Sequence, residues 1–181
     1  RSNLPDNLKL LFRAVAMTTP DRRMITQVML FSQGIVTAES LAGKITLLFT
    51  LCEEQLSMQS HYDFGLRALK SVLMGAGELK RAALSAITDD EFDLAEIEKE
   101  VLIKATCNSI LPKLVAQDIA LFTSLLSGVF PNASLPDITE PSIVEAINDI
   151  CMEDYLECKP EFVTKMLQLK QVLDWQLYQN I

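Results

Sequence analysis

Apolar residues recur at intervals of three and four along nearly the whole chain, the spacing of one face of an α-helix. The pattern predicts a short helix over residues 5–12, with Pro5 at its first turn and Leu8, Leu11 and Phe12 on one side. Arg13 to Met17, bounded by Thr18-Thr19-Pro20, reads as the one short strand. A second helix is expected from Asp21 to Gly34, burying Met24, Ile25, Val28 and Phe31. A third runs from a Thr37 cap through Leu41, Ile45, Leu48, Leu51 and Cys52 to about Leu56. After a polar loop at 57–63, a fourth begins near Gly65 and carries Leu69, Val72, Leu73 and Ala76 inward to about Lys80.

Beyond Lys80 the pattern is interrupted. Thr88 to Glu100 holds seven acids and one lysine, expected as a solvated loop leading into a helix with Leu94, Ile97 and Val101 inward. Helical spacing resumes over 102–109 and, around Pro112, over 111–128, then stops at Pro131 to Pro136. Pro141 opens a helix with Ile143, Val144, Ile147 and Ile150 on its apolar side. Pro160 opens the last, with a stripe of Phe162, Met166, Leu169, Leu173 and Leu177. The expected fold class is therefore mainly all-α, with at most one or two short strands.

Charge divides the chain where the pattern breaks. Residues 1–81 carry 10 Lys+Arg against 7 Asp+Glu, and residues 82–181 carry 6 against 17, giving +3 and −11 within a total of −8. At 181 residues there is room for one domain or two small ones. A pI near 4.7 argues against nucleic-acid binding, which needs a basic face. One histidine and six glycines leave no His-based metal cluster and no glycine-rich phosphate loop. No apolar run is long enough to span a membrane, and no signal peptide is visible. Cys52, Cys107, Cys151 and Cys158 sit within helical patterns and read as structural free thiols of a reducing compartment. Asn132-Ala133-Ser134 matches a glycosylation pattern and reads as chance in such a setting.

Arg67 is the residue that breaks a local rule. It falls in the first turn of an otherwise apolar helix, where the dipole disfavours a cation by roughly 0.3–1 kcal/mol. A compensating anion is implied, either a nearby carboxylate (Asp63 or Glu54) or an external phosphate. The spacing alone leaves both open. Arg13, near Arg22 and Arg23, reads by itself as a surface arginine.

Several runs carry a resemblance. Residues Arg1 to Arg13, Val15-Ala16-Met17, Met29 to Gly34, and Leu51 to Ser57 resemble the dynein heavy chain family. The run His61-Tyr-Asp-Phe-Gly-Leu-Arg-Ala-Leu-Lys-Ser-Val-Leu73 does so more strongly, and the wording is closest to the cytoplasmic type. The likeness is good in Leu111 to Asp118 and Leu125 to Pro131, and weak over 132–181. It implies placement in a ring of AAA+ modules, each with an α/β part and a helical lid. Residues 1–20 would end the large part of the first, main ATP-hydrolysing module. Residues 21–81 would be its lid, 82–100 an acidic linker, and 101–181 the first helices of the second module.

Carried over residue by residue, the resemblance puts Arg67 at the lid arginine (sensor II) that reaches nucleotide phosphates. It puts Arg13 at the arginine-finger position, where an interface or strand-anchoring role is implied rather than catalysis. The implied parent is an ATP-driven, minus-end-directed microtubule motor in the cytoplasm, using ATP/ADP with magnesium. Its partners would be the rest of the motor ring, microtubules, other dynein subunits and dynactin. The phosphate loop and magnesium-binding acids would lie upstream of Arg1, so the chain alone is expected to bind no nucleotide and hydrolyse no ATP. The competing reading is a non-catalytic, all-helical interaction module whose apolar faces bind partner helices.

Overall fold

The computed structural model describes residues 5–13, 15–86, 93–131 and 141–179. Eight α-helices follow one another there: α1 (Asp6–Lys9), α2 (Arg22–Ser32), α3 (Ala38–Gln55), α4 (Leu66–Ala86), α5 (Leu94–Ile110), α6 (Ala116–Val129), α7 (Pro141–Glu153) and α8 (Pro160–Gln179). A single 3-10 turn, Leu111–Lys113, joins α5 to α6 around Pro112. Among the described residues there is no strand, so the molecule is mainly all-α as its periodicity predicts. The glycosylation pattern at 132–134 lies outside the described residues.

One core binds α2 to α6. α2 lies against α3 and α4, α4 against α5, and α6 returns onto α3. Leu41, Ile45, Leu48 and Cys52 of α3 form the buried stripe that their spacing predicts, and Leu69, Val72, Leu73 and Ala76 of α4 do the same. Phe49, Phe122 and Phe130 are the largest fully buried side chains. The core runs on through α5, from Val101 to Ile110, without a break at the change in charge. Burial lifts the Cys52 and Cys107 thiols to about 12, so both stay protonated.

The turn between α2 and α3 is built around a buried ion pair. Gly34, at φ +79°, takes the left-handed conformation that ends α2. Thr37 precedes α3 but does not cap it through its own side chain. Its hydroxyl and amide donate instead to Glu98 of α5, as does the Val36 amide at 2.8 Å. Lys80 of α4 completes the knot, donating at 2.6 Å both to Glu98 and to the Gly34 carbonyl. Glu98 has no exposed surface, although it belongs to an acidic run expected to be solvated.

Other expectations need correction. Of the strand expected over Arg13 to Met17, Ala14 lies outside the described residues, and Arg13 and 15–17 form no strand: a strand needs a neighbour to satisfy its backbone, the described residues offer none, and Val15 and Met17 stand exposed. The helix expected over 5–12 shortens to α1, with Leu8, Leu11 and Phe12 all exposed. On α2 the buried face is rotated, with Thr26 and Leu30 inside and Met24, Val28 and Phe31 outside. Thr26 can be buried because its hydroxyl donates to the Arg22 carbonyl at 2.7 Å. Leu94 of α5 and Ile150 of α7 are also exposed. On α8 the stripe of Phe162, Met166, Leu169 and Leu173 faces out, while Leu167 is buried and the helix leans on α5 and the 3-10 turn.

Candidate functional site

α3 ends at Gln55 with Leu56 as its C-cap, and nine further residues, 57–65, lead to α4. Two local devices start the new helix. Asp63 Oδ1 accepts from the Gly65 amide at 2.9 Å, and the Gly65 carbonyl takes the first helical bond from the Leu69 amide. Arg67 therefore stands in the first turn, beside amides that no helical carbonyl can satisfy. Its side chain is exposed. Neither Asp63 nor Glu54 forms an ion pair with it, and among the described residues no other carboxylate does. A guanidinium fork carried on the first turn of a helix, together with the amides of that turn, is a combination that can hold a phosphate oxygen or another oxyanion.

The loop ahead of Arg67 is tied down at a distance. Ser57 Oγ and, at 2.7 Å, the Tyr62 hydroxyl donate to Asp118 Oδ2 in the first turn of α6. The Val115 amide donates to the Tyr62 oxygen at 2.9 Å, and His61 Nε2 lies 2.9 Å from the Lys113 carbonyl. The rings of Tyr62 and Phe64 meet edge to face, and Phe64 meets Phe49 of the core in the same way. Asp118 is only 7% exposed. Donation by Ser57, then by Tyr62, holds its carboxyl below the usual range, against the upward push of burial. Burial and, against the lowering effect of the Val115 amide, the bond to the Asp118 carboxylate raise the Tyr62 phenol, so the phenol is the donor and the carboxylate the acceptor. A recess bordered by Tyr62, Phe64, Ala68 and Lys113 is water-sized and too small for a nucleotide.

Arg13 is exposed in the irregular segment before α2, and no hydrogen bond joins it to Arg67 or to the 57–65 loop among the described residues. Among the described residues no contact assembles the two arginines into one site. The described residues contain no grouping of His, Cys, Asp or Glu suited to a metal ion, and none of their helices is long and apolar enough to cross a membrane. Asp118, Tyr62 and Ser57 had no signal as a set, because nothing in the sequence pairs position 57 or 62 with 118. The signal available was an aspartate in the first turn of an amphipathic helix, which usually means only a favourable dipole contact.

A family model described as the hydrolytic ATP binding site of the dynein motor region matches residues 1–177. The cytoplasmic dynein heavy chain of Drosophila melanogaster is 52% identical over 95% of the chain, and that of Dictyostelium discoideum is 53% identical over 96%. An axonemal dynein heavy chain of Sus scrofa is 41% identical over 96%. The similarity takes in most of the stretch beyond 132, where the sequence by itself gave little. The chain spans about 4% of the length of each of these relatives. By the family match and by identity near one half over almost its whole length, the chain belongs to the dynein heavy chain family, in the ATP-binding region of the motor.

Proposed function

We propose that the chain is a segment of an ATP-driven microtubule motor and supplies the lid of its main ATP site, with Arg67 reaching the nucleotide phosphates. The observation that carries this is an arginine in the first turn of α4, exposed and without the carboxylate partner its position calls for. A bound phosphate would remove that conflict. Its fork would offset charge on the phosphoryl group during transfer, which a lysine does less specifically. Magnesium finds no ligand set among the described residues, and other parts of the motor would hold it.

In this reading residues 1–20 close the large part of the first AAA+ module, 21–81 form its lid, 82–100 are a linker, and 101–181 begin the second module. Residues 13–17 would become a strand only beside the sheet of that large part, and Arg13 would lie at a module interface, anchoring rather than catalysing. The partners of the intact protein would be the remainder of the ring, microtubules, the other dynein subunits and dynactin, in the cytoplasm.

The test is made in the intact motor. Arg67→Ala is expected to lower microtubule-stimulated ATPase roughly 100-fold, the usual cost of removing one donor to a developing charge. Wild-type turnover in that variant refutes the phosphate role. For the chain alone, calorimetry with ATP and magnesium is expected to show no heat of binding and no hydrolysis, and tight binding with turnover would refute the division of labour.

A further inference from the structure

The loop that delivers Arg67 has little structure of its own. Within 57–65 the backbone-to-backbone bonds are short-range, Gln59 amide to Ser57 carbonyl and Tyr62 amide to Gln59 carbonyl, besides the Asp63 turn, while the Ser57 amide acts on the Asp118 carboxylate. Short-range bonds shape a loop but do not locate it against the body of the molecule. Beside the packing of Phe64 on Phe49, location comes from four side-chain ties to residues 113–118, two of which end on one carboxylate.

We infer that Asp118 is a positioning residue for Arg67, fixing the 57–65 loop so that α4 begins where the guanidinium meets the nucleotide phosphates. The inference rests on the phosphate role proposed for Arg67. Tyr62 lies five residues before Arg67, and the intervening chain has little slack: Phe64 is packed on Phe49, Asp63 holds the Gly65 amide, and Leu69 already bonds to Gly65. A shift of the Tyr62 hydroxyl therefore passes to the first turn of α4. Asp118 can do this only from behind. As an anion it would repel the phosphates, and both its donors belong to the loop. Because those donors favour the ionised form, the brace persists through neutral pH.

The intact motor again provides the test, through microtubule-stimulated ATPase of Arg67→Ala, Asp118→Ala, Asp118→Asn, Tyr62→Phe and the Arg67→Ala/Asp118→Ala double variant. Asp118→Ala is expected to lower kcat at least about 10-fold, since misplacing a reacting geometry by 1 Å can cost up to about 100-fold. The double variant should be no slower than Arg67→Ala, because a brace has nothing left to position. Asp118→Asn, which keeps an acceptor oxygen, should recover most of the rate. Normal kcat in Asp118→Ala beside a disabled Arg67→Ala overturns the brace and leaves the phosphate role standing. Multiplying losses in the double variant also overturn it, since they mark Asp118 as independently structural. A wild-type rate in Arg67→Ala overturns both. If Asp118→Ala fails to fold, Tyr62→Phe combined with Arg67→Ala carries the same comparison.

Discussion

At the scale of single residues the largest electrostatic commitment is Glu98, a carboxylate with no exposed surface. Burial alone would push its pKa up. Donation from Lys80, from the Thr37 hydroxyl and from the Thr37 and Val36 amides outweighs that and holds it at about 2, against an ordinary value of 4.5. The folded value lies below the unfolded one, so this contribution is complete above about pH 4.5 and is lost as pH falls toward 2. Denaturant midpoints measured across that window are expected to fall steeply in the wild type and much less in Glu98→Gln. At neutral pH Glu98→Gln is expected to cost on the order of 3–5 kcal/mol, since it strands a buried ammonium. The double replacement Lys80→Met/Glu98→Leu should cost less than either single change. Such a knot was not legible in the sequence: Glu98 stands among six other acids within residues 88–100, and composition makes all of them surface. The place of Arg67 in the first turn of α4 was legible because it violates a rule that depends only on neighbours in the chain. Asp118 acts across 56 and 61 residues and Glu98 across 18 to Lys80 and 61 to 62 to Thr37 and Val36, which no local rule reaches.

Between elements, close approach decides more than propensity. A methyl group built at Gly77 of α4 would lie 2.9 Å from Gln33 Cβ and 2.1 Å from its Oε1, at the end of α2. The amide end of Gln33 can swing away, but its Cβ cannot move without α2. Gly77→Ala is therefore expected to destabilise by about 1–3 kcal/mol despite a gain in helix propensity of about 1 kcal/mol. Gly128 of α6 meets nothing within 4 Å, so Gly128→Ala should raise stability by about 0.5–1 kcal/mol. Thermal melts of the two variants give shifts of opposite sign, and a shared sign would refute the packing argument. The same contrast explains which parts of the fold the sequence disclosed. Helix positions followed from spacing and punctuation: Asp21 caps α2, accepting from the Arg23 and Met24 amides, and Pro141 and Pro160 open α7 and α8. Buried faces followed only where an apolar stripe met a partner within this chain. On α2 the partners α3 and α4 select Thr26 and Leu30, a choice set by their geometry and not by the hydrophobicity of Met24, Val28 and Phe31.

Across the described residues about half of the exposed large apolar side chains fall into three runs. Leu8, Leu10, Leu11, Phe12, Val15 and Met17 form one; Met24, Val28 and Phe31 the next; Phe162, Met166, Leu169 and Leu173 the third. Single exposed leucines are ordinary, but stripes at helical spacing are surfaces that a partner normally covers. Each side chain stands to gain roughly 1.5–3 kcal/mol on full burial, so four on one helix face outweigh the usual cost of ordering them. Relatives about twenty-five times longer supply ample chain for that purpose. Separated from it, this chain is expected to satisfy the same surfaces with copies of itself. Sedimentation at micromolar concentration should show association, and an apolar dye should bind. Phe162→Glu/Leu169→Glu should shift the population toward monomer without lowering the melting temperature, because these two side chains are about half exposed and have little packing to lose. A wild-type chain that stays monomeric and binds no dye would show that the stripes are tolerated as they stand, favouring a self-sufficient helical module over a part shaped to fit a ring.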